Sequence, residues 1–544
     1  MAIAPSKPLT IFLIISFHLT SSAYPITDTI TTTCTALNHH NSPQSKCTYL
    51  KTTADCHPKG YINYLQIFYC NLSRFPQLGF LMLLLWLVIL FYVLSNTASD
   101  YFCPAVENLS KILKLSPAIA GTTLLPLANG SPDVFASIIS FTASGDGGEI
   151  GLNSILGGAI FVSTVVVGIL SLLISYRRKI VIVDKPNFIR DVVFLLFSLS
   201  NLLVIIIIGK ISFSASILFA STYIIYICLV SYMHFITMKK QILISIDDDH
   251  QGSTLPLLVC VNAQQKLVRS ADKVVPNRKR IIMLLFYIIR FPIYLPRRLT
   301  IPTITQDRWS KPFAVISVVL SPIMLALILN TQQAKMGSKA SLVIYSLALL
   351  IGVALGTCTF AFTSSTMAPQ TGLFLWHASG FLMSVVWTYI TAEELVSLLE
   401  SLGTIIGMNP SILGLTVLAW GNSLGDLTAS VAMAMHDGSD GAQIAIAGCY
   451  AGPVFNIFVG LGFSFVLACW LGYPEPYMVP VNPYLCETVG FMIGGLLWAL
   501  VVLPNREMRL DRTLGGGLLA IYFCFLFIKI ARVVGLLDVS IPNP

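Results

Sequence analysis

Apolar stretches of close to 20 residues alternate with short polar turns along almost the whole chain. A helix rising 1.5 Å per residue needs about that many residues to cross a hydrocarbon core about 30 Å thick. Five spans are predicted in the first half, near 77–96, 115–140, 151–175, 190–209 and 212–233. Seven more follow a long polar interval, near 312–331, 340–360, 372–392, 409–433, 442–468, 483–503 and 514–535. Lipid offers no partner to an open backbone, so each span satisfies its own peptide groups as a helix. The predicted fold class is an all-α polytopic membrane protein of about 12 transmembrane helices.

A shorter apolar run, Ile11-Phe12-Leu13-Ile14-Ile15, follows the single charge of Lys7 and precedes the small residues Ser21-Ser22-Ala23. That order predicts a signal segment over 1–23, with a retained anchor as the alternative. Residues 24–75 then form an exported polar segment carrying Cys34, Cys47, Cys56 and Cys70. Four cysteines in an exported stretch favour two disulfides, with the pairing open. The sequon Asn71-Leu72-Ser73 makes Asn71 a possible glycosylation site, close to the first span.

Composition and charge fit the same picture. The chain of 544 residues is 55% hydrophobic and only 11% charged, where a soluble domain carries about a quarter charged residues. The formal net charge of +8 does not call for nucleic acid as a partner. Its positive residues sit in loops beside the spans, where the positive-inside rule accounts for them. With 24–75 exported, the loop holding Arg177, Arg178, Lys179, Lys185 and Arg190 falls in the cytosol. So does the interval 234–311, with thirteen Lys/Arg against five Asp. Arg506, Arg509 and Arg512 land on that side too, and the acidic turns Asp146–Glu149 and Glu393–Glu400 on the other. Lys335 and Lys339 are the exceptions. The organisation predicted is a first repeat over 76–233, a basic cytosolic loop over 234–311 with an interfacial helix near Ile281–Leu295, and a second half over 312–544. The run Asp247-Asp248-Asp249-His250 in that loop reads as a solvated acidic turn.

Two of the spans carry polar residues in one repeated order. Asn129-Gly130-Ser131-Pro132-Asp133 continues to Ala136-Ser137, and Asn422-Ser423-Leu424-Gly425-Asp426 continues to Ala429-Ser430. Asn, Asp and Ser stand four apart in each copy, which stacks them on one helical face. A carboxylate at membrane depth costs several kcal/mol on most estimates and marks an ion or proton path by default. The charge-derived topology runs the first motif outward and the second inward, so the copies are antiparallel, as in transporters with inverted repeats. Gly121, Pro126, Gly130 and Pro132, and Gly414, Gly421 and Gly425, predict irregular helices with freed carbonyls. Together with the carboxylates, amides and hydroxyls these form the oxygen set of hard cations. The candidate cation-binding residues are therefore Asp133, Asp426, Asn129, Asn422, Ser131, Ser423, Ser137 and Ser430, with the two aspartates as the metal-ligating pair. The following spans carry small-residue patches, Gly157–Val162 and Ala451–Asn456, where backbones approach closely. Asn456 is a further candidate ligand there, and Asn153 a weaker one.

These paired motifs resemble the alpha-repeats of the sodium/calcium exchanger superfamily. In detail the chain is similar to the plant cation/calcium exchangers and their mitochondrial sodium/lithium/calcium relatives. Those carry Asn-Gly-x-Pro-Asp and Gly-Asn-Ser-x-Gly-Asp, matched here by Asn129–Asp133 and Gly421–Asp426. The likeness runs over about residues 75–535. It implies an inverted-repeat exchanger in which Asp133 and Asp426 are the principal acidic ligands, with Asn129, Ser131, Asn422 and Ser423 beside them. The function it implies is antiport of Ca2+ against Na+, K+ or H+, with no cofactor beyond the transported cations. The alternative within the same fold is a proton-coupled K+/Na+ transporter. A channel fits less well, because filters are usually assembled from several subunits. An intramembrane aspartyl protease lacks support, since Ser423-Leu424-Gly425-Asp426 misses the first glycine of Gly-x-Gly-Asp. The partners predicted are the lipid bilayer and inorganic cations. The plasma membrane and an endomembrane such as the vacuole or endoplasmic reticulum suit the chain equally.

Overall fold

The computed structural model describes residues 42–52, 60–112, 125–142, 147–177, 181–244, 294–304, 309–333, 339–365, 372–408, 410–436, 438–479 and 483–533, with positions 37, 291 and 367–369. The signal segment, Cys34, Cys56, the Asp247–His250 run and all but the end of Ile281–Leu295 lie outside the described residues. Within them the chain is helical, apart from two short strands. The helices are α1 Pro43–Thr52, α2 Pro76–Thr97, α3 Cys103–Ile112, α4 Leu125–Thr142, α5 Gly147–Ile160, α6 Val167–Tyr176, α7 Lys185–Ile208 and α8 Phe213–Ile244. After the basic interval come α9 Lys311–Gln333, α10 Lys339–Phe362, α11 Leu373–Ile406, α12 Ala419–His436, α13 Gly438–Phe455, α14 Gly462–Leu471, α15 Pro483–Asn505 and α16 Arg512–Val533.

Ten helical stretches are long and apolar enough to cross a bilayer. The two remaining predicted spans contain α4 and α12, which carry the motifs; their Asn, Asp and Ser residues dilute the apolar window. Local chemistry sets several ends. Pro186 stands in the first turn of α7, where its missing N–H costs nothing, and Gly209 (φ 71°) closes that helix in the left-handed region. One predicted end is wrong. The acidic stretch Glu393–Glu400 is not a turn: α11 continues through it to Ile406. Glu394 is buried there because the backbone N–H of Tyr61 donates to its Oε1 and the Tyr64 hydroxyl to its Oε2, at 2.5 Å in the second case. Burial, and then the Glu394 carboxylate, push the Tyr64 phenol above its ordinary range, so it stays a donor. Trp86 Nε1 donates back to the same hydroxyl at 2.9 Å.

The helices gather into two compact units. One contains 274–387, and in it α9 packs on α10 where Gly352 lets the Val319 carbonyl approach: an added Cβ would stand 2.4 Å from that oxygen. The other contains 29–107, 114–273 and 388–544, and holds both motifs. Its order repeats: α4, α5, α6, α7 and α8 are followed about 290 to 300 residues later by α12, α13, α14, α15 and α16. Each α5–α6 and α13–α14 junction is a six-residue π-helical stretch, Phe161–Val166 and Asn456–Leu461. Packing exchanges between the copies: α4 lies on Asn456–Leu461 and α12 on Phe161–Val166, α7 on α13 and α15 on α5, α8 on α14 and α16 on α6. Small residues mark these crossings, as expected of helix pairs in lipid.

The connecting loops pair in the same reciprocal way. At the start of α7, Val183 N–H donates to the Met508 carbonyl at 2.8 Å, beside the bridge of Ile182 with Arg509. At its end, β1 Lys210–Ile211 pairs antiparallel with β2 Tyr477–Met478. Residues 181–184 therefore share one end of α7 with 506–511, and 209–211 shares the other end with 477–479.

Candidate functional site

The motif helices meet at their polar faces. Asp133 of α4 is buried, 3% exposed, and accepts from two amides of the other repeat. Asn422 Nδ2 of α12 donates to Oδ1 at 2.9 Å, and Asn456 Nδ2, which opens the π-helical stretch after α13, donates to Oδ2 at 3.0 Å. An ionised carboxylate only accepts, so each amide turns its nitrogen to Asp133 and its oxygen away. Both amide oxygens, Asn422 Oδ1 and Asn456 Oδ1, and the Ser423 hydroxyl oxygen are buried without a hydrogen-bond partner. Buried polar atoms are normally satisfied, and those that are not call for an explanation such as an absent ion or water.

Two glycines make this convergence possible. A Cβ on Gly158 would stand 3.3 Å from both Asp133 Oδ2 and Ser423 Oγ, so oxygens of both repeats close over that backbone. A Cβ on Gly130 would stand 2.2 Å from Asn456 Oδ1; only a residue without one lets that amide in. Asp426, half-buried one turn along α12, lies within electrostatic reach of Asp133. Among the described residues neither aspartate pairs with a lysine or arginine. Two other buried carboxylates do, Asp191 with Arg190 at 2.8 Å and Glu487 with Lys529 at 3.0 Å, while Glu394 is held by Tyr61 and Tyr64.

The remaining candidates spread outward. Ser137, one turn beyond Asp133, shares a 2.9 Å hydrogen bond with Ser464, and Ser430 faces Cys449 Sγ at 4.0 Å. Ser131 is fully buried. The Asn129 side chain lies outside the described residues. Asn153 turns its amide back to the Glu149 carbonyl at 2.9 Å and takes no part. The predicted helix breaks take a milder form: α4 runs unbroken through Pro132, which removes one ladder bond, and the second motif is preceded by a π-helical stretch, Gly414–Leu418. In the segment before α2, Cys47 and Cys70 form a disulfide, and Asn71 is exposed.

A cluster of two unpaired carboxylates with orphan amide and hydroxyl oxygens, inside a multi-pass helical bundle built twice over, defines a membrane transporter. Among the described residues no three His, Cys, Asp or Glu side chains gather as a resident metal centre would require. The family model described as sodium/calcium exchanger protein matches residues 83–232 and 376–531. Cation/calcium exchanger 1 of Arabidopsis thaliana is 47% identical over 508 residues, covering 91% of this chain and 88% of the relative. Cation/calcium exchanger 2 of the same plant is 42% identical, over 92% of this chain and 91% of its own length. The mitochondrial sodium/calcium exchanger protein of Rattus norvegicus is 27% identical, over 96% and 94%. The chain belongs to the sodium/calcium exchanger family, in the cation/calcium exchanger group, and is a transporter rather than an enzyme.

Proposed function

We propose that this chain is an antiporter that moves Ca2+ across its membrane in exchange for Na+, K+ or H+, by alternating access at a site shared by Asp133 and Asp426. The observation that carries the reading is the arrangement around Asp133: two amides from the opposite repeat hold the carboxylate and leave their own oxygens, with Ser423 Oγ, unpartnered beside it. Ca2+ takes six to eight oxygens at 2.3–2.6 Å in loose geometry. Two carboxylates, two amide oxygens and a hydroxyl supply most of such a shell, and retained water completes it. Few formal charges suit an ion that must leave again, because affinity rises with ligand charge.

The same charges couple the two fluxes. Without a bound cation the site holds two carboxylates and no cationic side chain to neutralise them. Each such charge at membrane depth costs about 2.5–3.5 kcal/mol on insertion scales. An empty carrier therefore closes and reopens slowly, and a bound counter-ion speeds its return. In this reading the repeat over 76–233 and the half over 312–544 carry the exchange, while 234–311 is a cytosolic connection and 24–75 an exported segment. The lipid bilayer and the cations are its partners, and its membrane is the plasma membrane or an endomembrane.

The test is flux in proteoliposomes of the purified chain, under imposed Na+, K+ and H+ gradients, with Ca2+ followed. Ca2+ movement driven by one of those gradients, and stopped when that counter-ion is removed, is the expected result. Ca2+ flux that continues unchanged with every counter-ion absent would make the protein a uniporter or channel instead.

A further inference from the structure

The stretch between α1 and α2 turns back onto the helices that follow it. A short helix, Tyr64–Gln66, and a π-helical turn, Ile67–Asn71, lead into α2. Phe68 packs on Gly79 of α2, where an added Cβ would stand 3.1 Å from the ring. Tyr64, 2% exposed, belongs to the apolar cluster built from α2 and α11 leucines, with Ile62 and Phe68 packed against it. The Cys47–Cys70 disulfide closes the stretch into a loop on α1. Leu50 of α1 forms a small core with Leu65 and Tyr69, against which Ile405 of α11 packs.

One hydroxyl joins three elements. Tyr64 Oη accepts from Trp86 Nε1 of α2 at 2.9 Å and donates to Glu394 Oε2 of α11 at 2.5 Å, while the Tyr61 N–H donates to Oε1. Glu394 is 6% exposed, and a buried charge is tolerated only where such partners meet it. Gly60 lets the backbone lie this close: an added Cβ would stand 2.6 Å from Ser397 Oγ and 2.9 Å from Glu394 Oε1. α2 in turn rests on the second motif helix. Phe91 covers Gly421, and Ser95 faces Gly425, the residue before Asp426, where an added Cβ would stand 3.5 Å from its hydroxyl. Phe91 and Ser95 stand one turn apart on one face of α2, and Trp86 lies about 7.5 Å further up the same helix.

We propose that residues 60–71 are a clamp on access to the cation site: docked on Glu394 and Trp86 they hold α2 over the second motif helix, and undocked they release it, so that this helix opens to the exported side. The inference rests on the exchange reading above and on the exported placement of 24–75. Such a dock is releasable, because it is made of a few hydrogen bonds and one buried ring rather than of a spanning helix. The disulfide keeps the released stretch beside its dock, so it rebinds at a high effective concentration. A carrier open to the exported side for only a fraction of the time binds Ca2+ from that side more weakly by that fraction. Loosening the clamp therefore strengthens binding from the exported face and weakens it from the other.

The experiment compares the full-length chain with Tyr64→Phe, which removes the joining hydroxyl and adds no atom, and with Gly60→Ala, which lifts the backbone off Glu394. In membrane vesicles, Ser95→Cys is introduced into each of the three chains and labelled with a membrane-impermeant thiol reagent from the exported side; the same chains with Ser95 intact give the background. In proteoliposomes the KM for Ca2+ is measured separately at each face. Losing a hydrogen bond to a charged group weakens docking about tenfold or more. Labelling at position 95 should therefore rise several-fold in both variants. The KM should fall at the exported face, by up to about tenfold, and rise at the cytosolic face. Unchanged labelling in a folded Tyr64→Phe chain overturns the clamp, and so do KM values that stay put or move together, as a merely structural contact would give. A Tyr64→Phe chain that fails to fold overturns it too, because the stretch is then part of the fold. Failure of the unaltered chain to couple Ca2+ to any counter-ion overturns the exchange reading instead, and the labelling still decides the clamp.

Discussion

Asp133→Asn changes one atom and little volume, and the structure fixes what that atom meets. The two donors facing Asp133, Asn422 Nδ2 at 2.9 Å and Asn456 Nδ2 at 3.0 Å, both need an acceptor. An asparagine presents one oxygen and one NH2 group, so one donor keeps a neutral hydrogen bond and the other faces a second donor. A hydrogen bond to a charged group contributes about 1.5–3 kcal/mol, roughly twice a neutral one. Losing two and regaining one neutral bond costs the ordered site about 2–5 kcal/mol, equivalent to a factor of about thirty to a few thousand. The alternative, rotation of one amide, restores the bond but turns an oxygen of the cation site into a nitrogen. Either way Ca2+ also loses half of its compensating charge. The fold is affected differently, because replacing a buried charge by a neutral amide removes an insertion cost of about 2.5–3.5 kcal/mol. Exchange should therefore fall at least a hundredfold while thermal unfolding of the purified protein changes little. The double variant Asp133→Asn with Asn456→Asp returns a carboxylate to the same pair with its polarity reversed, and should recover part of the flux. Near-normal exchange by the single variant would refute the reasoning, and so would a double variant as dead as the single one.

Asp426→Asn should abolish exchange as well, yet with no loss of thermal stability, since no described side-chain donor is left facing the new amide; a large drop in unfolding temperature would contradict that geometry. Gly157→Ala and Gly158→Ala separate packing from binding. A Cβ on Gly157 would stand 2.2 Å from the Leu415 carbonyl oxygen, so it should cost about 1–3 kcal/mol of stability by overpacking. At Gly158 the nearest atoms are the Asp133 and Ser423 oxygens at 3.3 Å, so the folded protein should persist with a raised KM for Ca2+; thermal unfolding and flux measured on both variants check the pair. An inserted protease site near Ser270 should be cut from the cytosolic face alone, and cutting only from the opposite face would invert the topology.

Much of the architecture was legible because lipid makes each span write itself as an apolar run. The motif pair was legible because carboxylates are rare in such runs, and Asp133 and Asp426 stand out for the same reason that α4 and α12 fall below the apolar threshold met by the other spans. What the pattern hid were relations without a local period. Asn422 and Asn456 reach Asp133 across 289 and 323 residues, and nothing in the spacing of a helix says which amide of the other repeat arrives. Asn456 was visible as a polar residue in a small-residue patch, but its partner was not. The same limit explains Glu393–Glu400. Acidic residues after an apolar run read as a turn, and only the approach of Tyr61 and Tyr64, more than 300 residues earlier, makes a buried helical Glu394 tolerable.

The reciprocal loop contacts bear on how such a site can open to two sides. A pseudo-two-fold axis in the membrane plane gives every contact at one end of the bundle a counterpart at the other. The pairing of Val183 with Met508 and of β1 with β2 is one such couple, tying α7 and α15 at both of their ends. Backbone hydrogen bonds at both ends hold these helices as a frame. One large apolar cluster unites α4–α8 with α12–α16, and a smaller one joins Leu83, Leu87, Leu90 and Leu94 of α2 to Leu395, Leu398, Leu399 and Leu402 of α11 and to Ile139 of α4 and Ile150 of α5. α2 touches the second motif where Phe91 covers Gly421, a position at which an added Cβ would lie 2.1 Å from the ring. α2 therefore shields the second motif helix, and side-chain packing holds it there rather than the backbone hydrogen bonds that tie α7 to α15. Such a division suits the proposed exchange, in which access to the ligands changes sides while the two repeats stay tied together.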